Sequence, residues 1–360
     1  MSDPNNQQDQ ATLAVLVTVL SALLVGKVVD ETLDLLKRFA AVFKTFGAAP
    51  AALSKVRQEA YTVAVRLQEE IPGLSAQVVD EAVRAGAGSA GDGLPASFKL
   101  GFDTSGGFET HADRSARAIR EDLAGKLNQL TYRITRFADD AYRAVVADAA
   151  TAQVQGLTPA GTQGEAYRKL TRAGITGYTD SKGRNWELSA YVEMATRTAA
   201  QRAYNVAHLD RMQTFGIDLF TVTDDGHPCP LCQPWQGKIL SVATDPRADA
   251  TIAEATAAGL FHPRCRHTLV AFIPGRTSIP APRPWTSADE AAYEASQRQR
   301  LLERRIRAAK REQAAAFTPE QTARANRSVR QAQAAMREFI AQTGRVRNTR
   351  REQLNLGAKA

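Results

Sequence analysis

Cys229-Pro-Leu-Cys232 and, about thirty residues further on, His262-Pro-Arg-Cys265-Arg-His267 hold all three cysteines of the chain and two of its five histidines. A Cys-x-x-Cys pair and a His-x-x-Cys pair share one spacing, which lets both side chains of a turn point at a common ion. Four such ligands, Cys229, Cys232, His262 and Cys265, can close a tetrahedral zinc site. With no position left open, the metal would be structural. Pro228, Pro230 and Pro263 stiffen the two knuckles and lower the entropy lost on closing them. His227 and His267 exceed a four-ligand count; each reads as an outer-shell donor or a surface residue, with His267 the possible extra ligand. Two other readings stay open. One is a pair of small buried thiols with turn histidines and no metal. The other is a disulfide, which three cysteines cannot complete and a reducing compartment disfavours.

The elements around the knuckles follow from patterning. Leu188 to Phe215 reads as a helix, with Leu188, Val192, Ala195, Ala199, Ala203, Val206 and Leu209 on one side and Gly216 placed to end it. Arg197, Arg202 and Arg211 lie off that stripe, as a solvated face would. Ile217 to Thr223 is β-branched and aromatic, so it predicts a strand, and Asp224-Asp225-Gly226 turns the chain into the first knuckle. Lys238 to Val242 and Thr268 to Ile273 are the other strand candidates. The expectation is a mainly α chain with a small α+β domain, whose short antiparallel sheet lies near the Cys/His cluster.

Further motifs surround the cysteines. Trp235-Gln236-Gly237-Lys238, Gly259-Leu260, Cys265-Arg266-His267 and Phe272-Ile273-Pro274-Gly275 follow in order, preceded by Gly174-Ile175-Thr176-Gly177-Tyr178 and Tyr191-Val192-Glu193-Met194-Ala195-Thr196-Arg197-Thr198. Over roughly residues 158 to 280 this series resembles the phage minor capsid protein 2 family, related to the MuF-like head morphogenesis proteins. The Cys-x-x-Cys is more typical of the MuF-like branch. The resemblance implies a minor head component assembled beside the portal protein inside the virion head, present in the host cytoplasm during assembly. Capsid or scaffold proteins are its further candidate partners.

The rest of the chain divides by composition. Residues 1–85 read as a helical region, with Val29, Leu33, Leu36, Ala40 and Phe43 on one face. Its apolar run from Ala11 to Gly26 is short for a membrane span and has no basic leader, so no membrane contact is expected. Residues 86–110 hold seven glycines between Gly86 and Gly107 and predict a loop or hinge. Residues 111–157 are helical again, with a stripe of Leu123, Leu127, Leu130, Ile134 and Phe137. Residues 158–282 form the domain that resembles the MuF-like family. Residues 283–360 read as a basic helical tail, whose second helix starts at Thr318-Pro319-Glu320-Gln321 and carries a seam of Ala325, Val329, Ala332, Met336 and Phe339.

Charge separates the tail from the body. The chain has 46 Lys plus Arg against 38 Asp plus Glu, a net of +8. From Arg283 onward 17 basic residues face 8 acidic ones, a net of +9, which leaves residues 1–282 at +8 − 9 = −1. Arg304, Arg305, Arg307, Arg311, Arg324, Arg327 and Arg330 are therefore the candidate contacts to double-stranded DNA. Without a base-reading motif they would touch phosphates and ignore sequence. No Gly-x-x-x-x-Gly-Lys-Ser/Thr occurs, which excludes a P-loop nucleotide site. The enzymatic alternative is a metal-dependent nuclease with His262 or His267 activating water. It requires an open metal position and usually a carboxylate or second histidine on a ββα hairpin; Asp224 and Asp225 are the carboxylates near in sequence. No catalytic residue is expected.

Overall fold

The computed structural model describes residues 4–92, 111–154, 165–179, 185–222, 226, 229–279 and 284–354. His227, Pro228, Asp224, Asp225, the glycines from Gly93 to Gly107 and the Pro280–Arg283 linker lie outside the described residues. Helices dominate: α1 (Pro4–Phe46), α2 (Pro50–Asp92), α3 (His111–Val154), α4 (Glu165–Ala173), α5 (Leu188–Thr214), α6 (Ile252–Ala257), α7 (Ser287–Ala314) and α8 (Pro319–Thr343). No helix among the described residues is long and apolar enough to cross a membrane.

The chain forms two compact units. The first comprises Met1–Ser21, Pro72–Ala124 and Met194–Glu294; the second comprises Ala22–Ile71, Gly125–Glu193 and Ala295–Ala360.

Long-range helix packing makes the second unit. On α1 the residues Val29, Leu36, Ala40 and Phe43 are buried, as their spacing requires, and on α3 Leu127, Leu130, Ile134 and Phe137 are buried. Phe39 stacks on Phe137 with ring centroids 6.1 Å apart, and Phe43 meets Tyr167 edge-on at 5.3 Å. A two-stranded antiparallel ribbon, β1 (Thr176–Thr179) with β2 (Asn185–Glu187), also belongs here.

From Ala295 onward the basic C-terminal segment is part of this unit. Thr318 caps α8 by accepting from the Gln321 N–H at 3.2 Å, and Pro319 occupies the first turn, as the sequence predicts. The seam on α8 packs against the preceding helix: Met336, with Ala332 and Phe339 beside it, lies on Leu302 and Ile306 of α7. Buried Glu312 bridges to Arg168 and Arg172, and Phe317 lies 6.0 Å from Tyr167.

In the first unit a four-stranded sheet has the order β5-β4-β3-β6, built from β3 (Leu219–Thr221), β4 (Ile239–Ser241), β5 (Ala250–Thr251) and β6 (Val270–Ala271). Strands β4 and β6 flank β3 antiparallel, with Phe220 opposite Leu240 and Ala271. The expected antiparallel sheet is corrected in one respect: β5 runs parallel to β4, so the sheet is mixed. Asp249 dictates that direction. Its amide donates to the Ile239 carbonyl at 2.8 Å while its carboxylate accepts from the Ile239 N–H at 2.8 Å, which pins the returning chain at the start of β4. Thr251 and Glu254 then form a capping box that starts α6.

The boundary expected at Gly86 is also corrected. Helix α2 continues through Gly86 and Gly88 to Asp92. A Cβ at Gly86 would lie 2.3 Å from the Tyr204 carbonyl oxygen, so glycine lets the α2 backbone touch the α5 backbone. At Gly88 nothing lies within 4 Å of such an atom. The two positions therefore respond with opposite signs. Gly88→Ala is expected to stabilise by about 0.5–1 kcal/mol through helix propensity. Gly86→Ala is expected to destabilise by about 1–3 kcal/mol through overpacking, in spite of the same propensity gain. Thermal melts of the two variants against wild type check this.

Candidate metal centre

The first knuckle lies between β3 and β4 and the second between α6 and β6, within the chain segment that builds the sheet. Beyond β3, Val222 bridges Gln236, and the Gly237 N–H donates to the Val222 carbonyl at 2.9 Å, so the first knuckle folds back over the sheet. Gly237 has φ +75°, a backbone region unfavourable to larger residues. A 3-10 turn, Gln233–Trp235, seats the indole against the core formed by Phe220, Leu240, Cys232 and Cys265, and Lys238 Nζ stands 5.8 Å from the ring centroid. The indole remains partly exposed. After α6, Gly259 at φ +115° packs against Leu231 of the first knuckle, and residues 262–265 make the second.

All three cysteines are free thiols, and the knuckles meet. Cys229 Sγ lies 3.2 Å from His262 Nε2, and Cys232 Sγ lies 3.6 Å from Cys265 Sγ. The donors form two triads that share Cys232: Cys229 with Cys232 and His262, and Cys232 with Cys265 and His267. Within each triad the donor atoms lie within 4.8 Å of one another. Cys232, Cys265 and His267 are buried; Cys229 and His262 are half-buried. His267 is thus interior, and its carbonyl accepts from the Gln201 side chain at 3.0 Å. Arg266, between two buried neighbours, is exposed.

The electrostatics follow from the central thiol. Hydrogen bonding to Cys229 and then to Cys265 pushes the pKa of Cys232 up, so it keeps its proton. The same bond from Cys232 holds Cys229 down to about 3, with help from His262, and holds Cys265 down to about 4, with help from His267. His262 is raised, first by its bond to Cys229. The pocket gathers negative sulfur around one point, an arrangement that a soft cation neutralises.

The second knuckle is also strained. Among the described residues only Phe261 (φ 57°) and Arg264 (φ 70°) are non-glycine residues with positive φ, and they immediately precede His262 and Cys265 respectively. Such conformations cost about 1–3 kcal/mol each and persist where the surroundings over-determine them.

The DNA-contact candidates separate into two groups. Arg304 and Arg305 on α7 and Arg324, Arg327 and Arg330 on α8 are exposed. Arg307 is buried and donates to the Arg351 carbonyl. Arg311 pairs with Glu187 at 3.5 Å and donates to the Arg172 carbonyl at 3.1 Å. In the second unit an open hollow of about 740 Å³ is lined by Lys37, Lys44, Phe317 and Thr322 among others, with no His, Cys, Asp or Glu.

A feature that sequence reasoning missed is a buried polar group in the first unit. His208 stacks on Tyr204 at 6.0 Å, its Nδ1 is 3.2 Å from Ser89 Oγ, and Tyr204 donates to the same oxygen at 2.7 Å. His208 Nε2 is buried without a partner. Residue 208 falls within a predicted helix, but only the α2–α5 contact reveals its surroundings.

The chain is thus mainly helical, with a small mixed sheet and a Cys/His cluster. Residues 50–341 match the family described as phage minor capsid protein 2, and the chain belongs to that family. It is a structural component of the phage virion. No match was found among curated proteins or among solved structures.

Proposed function

We propose that this minor capsid protein assembles beside the portal inside the head, without enzymatic activity, and that the exposed arginines of α7 and α8 touch packaged DNA. The observation that carries the reading is the placement of Arg304, Arg305, Arg324, Arg327 and Arg330 on the surface of a segment that holds the chain's whole positive excess. Family membership supports association with other phage head proteins, and packaged DNA would be the abundant acidic partner there. A metal held by four Cys and His ligands would have no open position for water, which supports a structural role over a nuclease.

If these five arginines engage phosphates, log affinity for duplex DNA falls with log salt at a slope of about −4 to −5, since each contact releases roughly 0.9 of a counterion. Removing the whole segment would strip α7 and α8 from the core of their unit, so the test is substitution of the five by glutamine. Mobility-shift titrations at several salt concentrations are expected to show weakened binding and a flattened slope. An unchanged slope would sink the DNA contact. Co-purification with the portal protein of the same phage tests the other half of the proposal.

A further inference from the structure

We propose that Cys229, Cys232, His262 and Cys265 hold one structural zinc ion and that His267 is not a ligand but a positioning residue, donating from Nδ1 to the Cys265 sulfur. This inference does not depend on the arginines.

The donor types fit, and Cys232 is common to both triads; closing one four-ligand site draws Cys265 toward Cys229 and His262, with which it shares no triad. In a tetrahedral site with ordinary Zn–S and Zn–N bonds, sulfurs stand about 3.8 Å apart and a sulfur and a nitrogen about 3.5 Å apart. The cross-knuckle pairs are already close to those edges, at 3.6 Å for Cys232 with Cys265 and 3.2 Å for Cys229 with His262. His262 is oriented as metal-bound imidazoles are: its Nδ1 is 2.9 Å from the Pro263 carbonyl, which fixes the proton there and leaves the Nε2 lone pair facing Cys229. The strained Phe261 and Arg264 are the residues that aim this second knuckle at the first.

His267 is held differently. Its Nε2 lies 3.1 Å from the Gln236 amide nitrogen, and with the amide donating, the ring proton belongs on Nδ1, 3.5 Å from Cys265 Sγ. The backbone N–H of His267 points to the same sulfur at 3.4 Å. Two donors on one sulfur favour the thiolate and orient it, the outer-shell role that accompanies cysteine ligation. Gln236 thereby links the Trp235–Lys238 segment to the second knuckle.

Full-length protein purified without chelator is expected to carry one zinc per chain and, when reconstituted with Co2+, to show the intense visible bands of a tetrahedral thiolate site. His267→Ala should keep that spectrum and weaken zinc binding about 10–100-fold, the usual cost of removing an outer-shell partner. Gln236→Leu should weaken it in the same direction. His262→Ala, at a half-buried position whose loss the fold should tolerate, should abolish the tetrahedral spectrum, and circular dichroism would confirm the retained helices. Wild-type protein that neither carries zinc nor takes up Co2+ overturns the site. A His267→Ala variant that loses the spectrum while His262→Ala keeps it overturns the assignment of ligand and donor.

Discussion

Phe220→Ala is expected to destabilise the first unit by about 3–5 kcal/mol, the range for removing a buried large aromatic. Phe220 is 0 % exposed in β3, an inner strand of the sheet, paired with Leu240 on one side and Ala271 on the other. Its ring shares one core with Met212, Ile217, Leu260 and the cysteines Cys232 and Cys265. Neither flanking strand can move in to fill the space without breaking its ladder, so the cavity persists. Val242→Ala, at an exposed position just beyond β4, should cost under about 1 kcal/mol. Urea titrations of both variants check the contrast, and a Phe220→Ala midpoint equal to that of Val242→Ala would contradict the packing described here.

Acid is the second large effect. Burial pushes the pKa of His208 down to about 4 from its ordinary 6.5, opposed in part by a hydrogen bond involving the Gly86 backbone. Below pH 6.5 the unfolded chain binds a proton at His208 that the folded chain refuses, so stability falls as pH drops and rises as pH climbs through this window. The loss is complete below about pH 4. It amounts to about 3 kcal/mol, from a shift of some two and a half units at 1.36 kcal/mol each. A His208→Gln variant keeps a polar group beside Ser89 and has no proton to gain. Its stability should lose less between pH 6.5 and pH 4 than the wild type's, by about that amount, in denaturant titrations across the range. Parallel pH profiles for the two proteins would assign the acid sensitivity elsewhere.

How much was readable follows the range of each interaction. The helix from Leu188 and the strands around residues 220, 240 and 270 were legible because periodicity and residue type are local signals. The Cys/His pairing was legible because turn spacing alone brings each half together, and the mutual approach of the halves needed only one long-range closure. Strand β5 was not, since two residues carry no period and its direction depends on Asp249 reaching back to Ile239. Gly86 misled for a physical reason: glycine weakens a helix locally, and only the distant Tyr204 backbone explains why α2 tolerates it. The burial of His267 and its contact with Gln236 was equally invisible, because nothing in Cys-Arg-His spacing says which residue turns inward.

The order of strands in the sheet also sets a timetable for synthesis. Strand β3 leaves the ribosome first of the four and ends as an inner strand, so both of its edges stay open until β4 and then β6 follow. From Thr221 to Val270 is roughly 50 residues, which takes several seconds at about 5–20 residues per second. For that interval the edge of Leu219, Phe220 and Thr221 that faces β6 has no strand to pair with. Its brevity, three residues, is what keeps the wait harmless, because so short an edge offers a neighbouring nascent chain little to pair with.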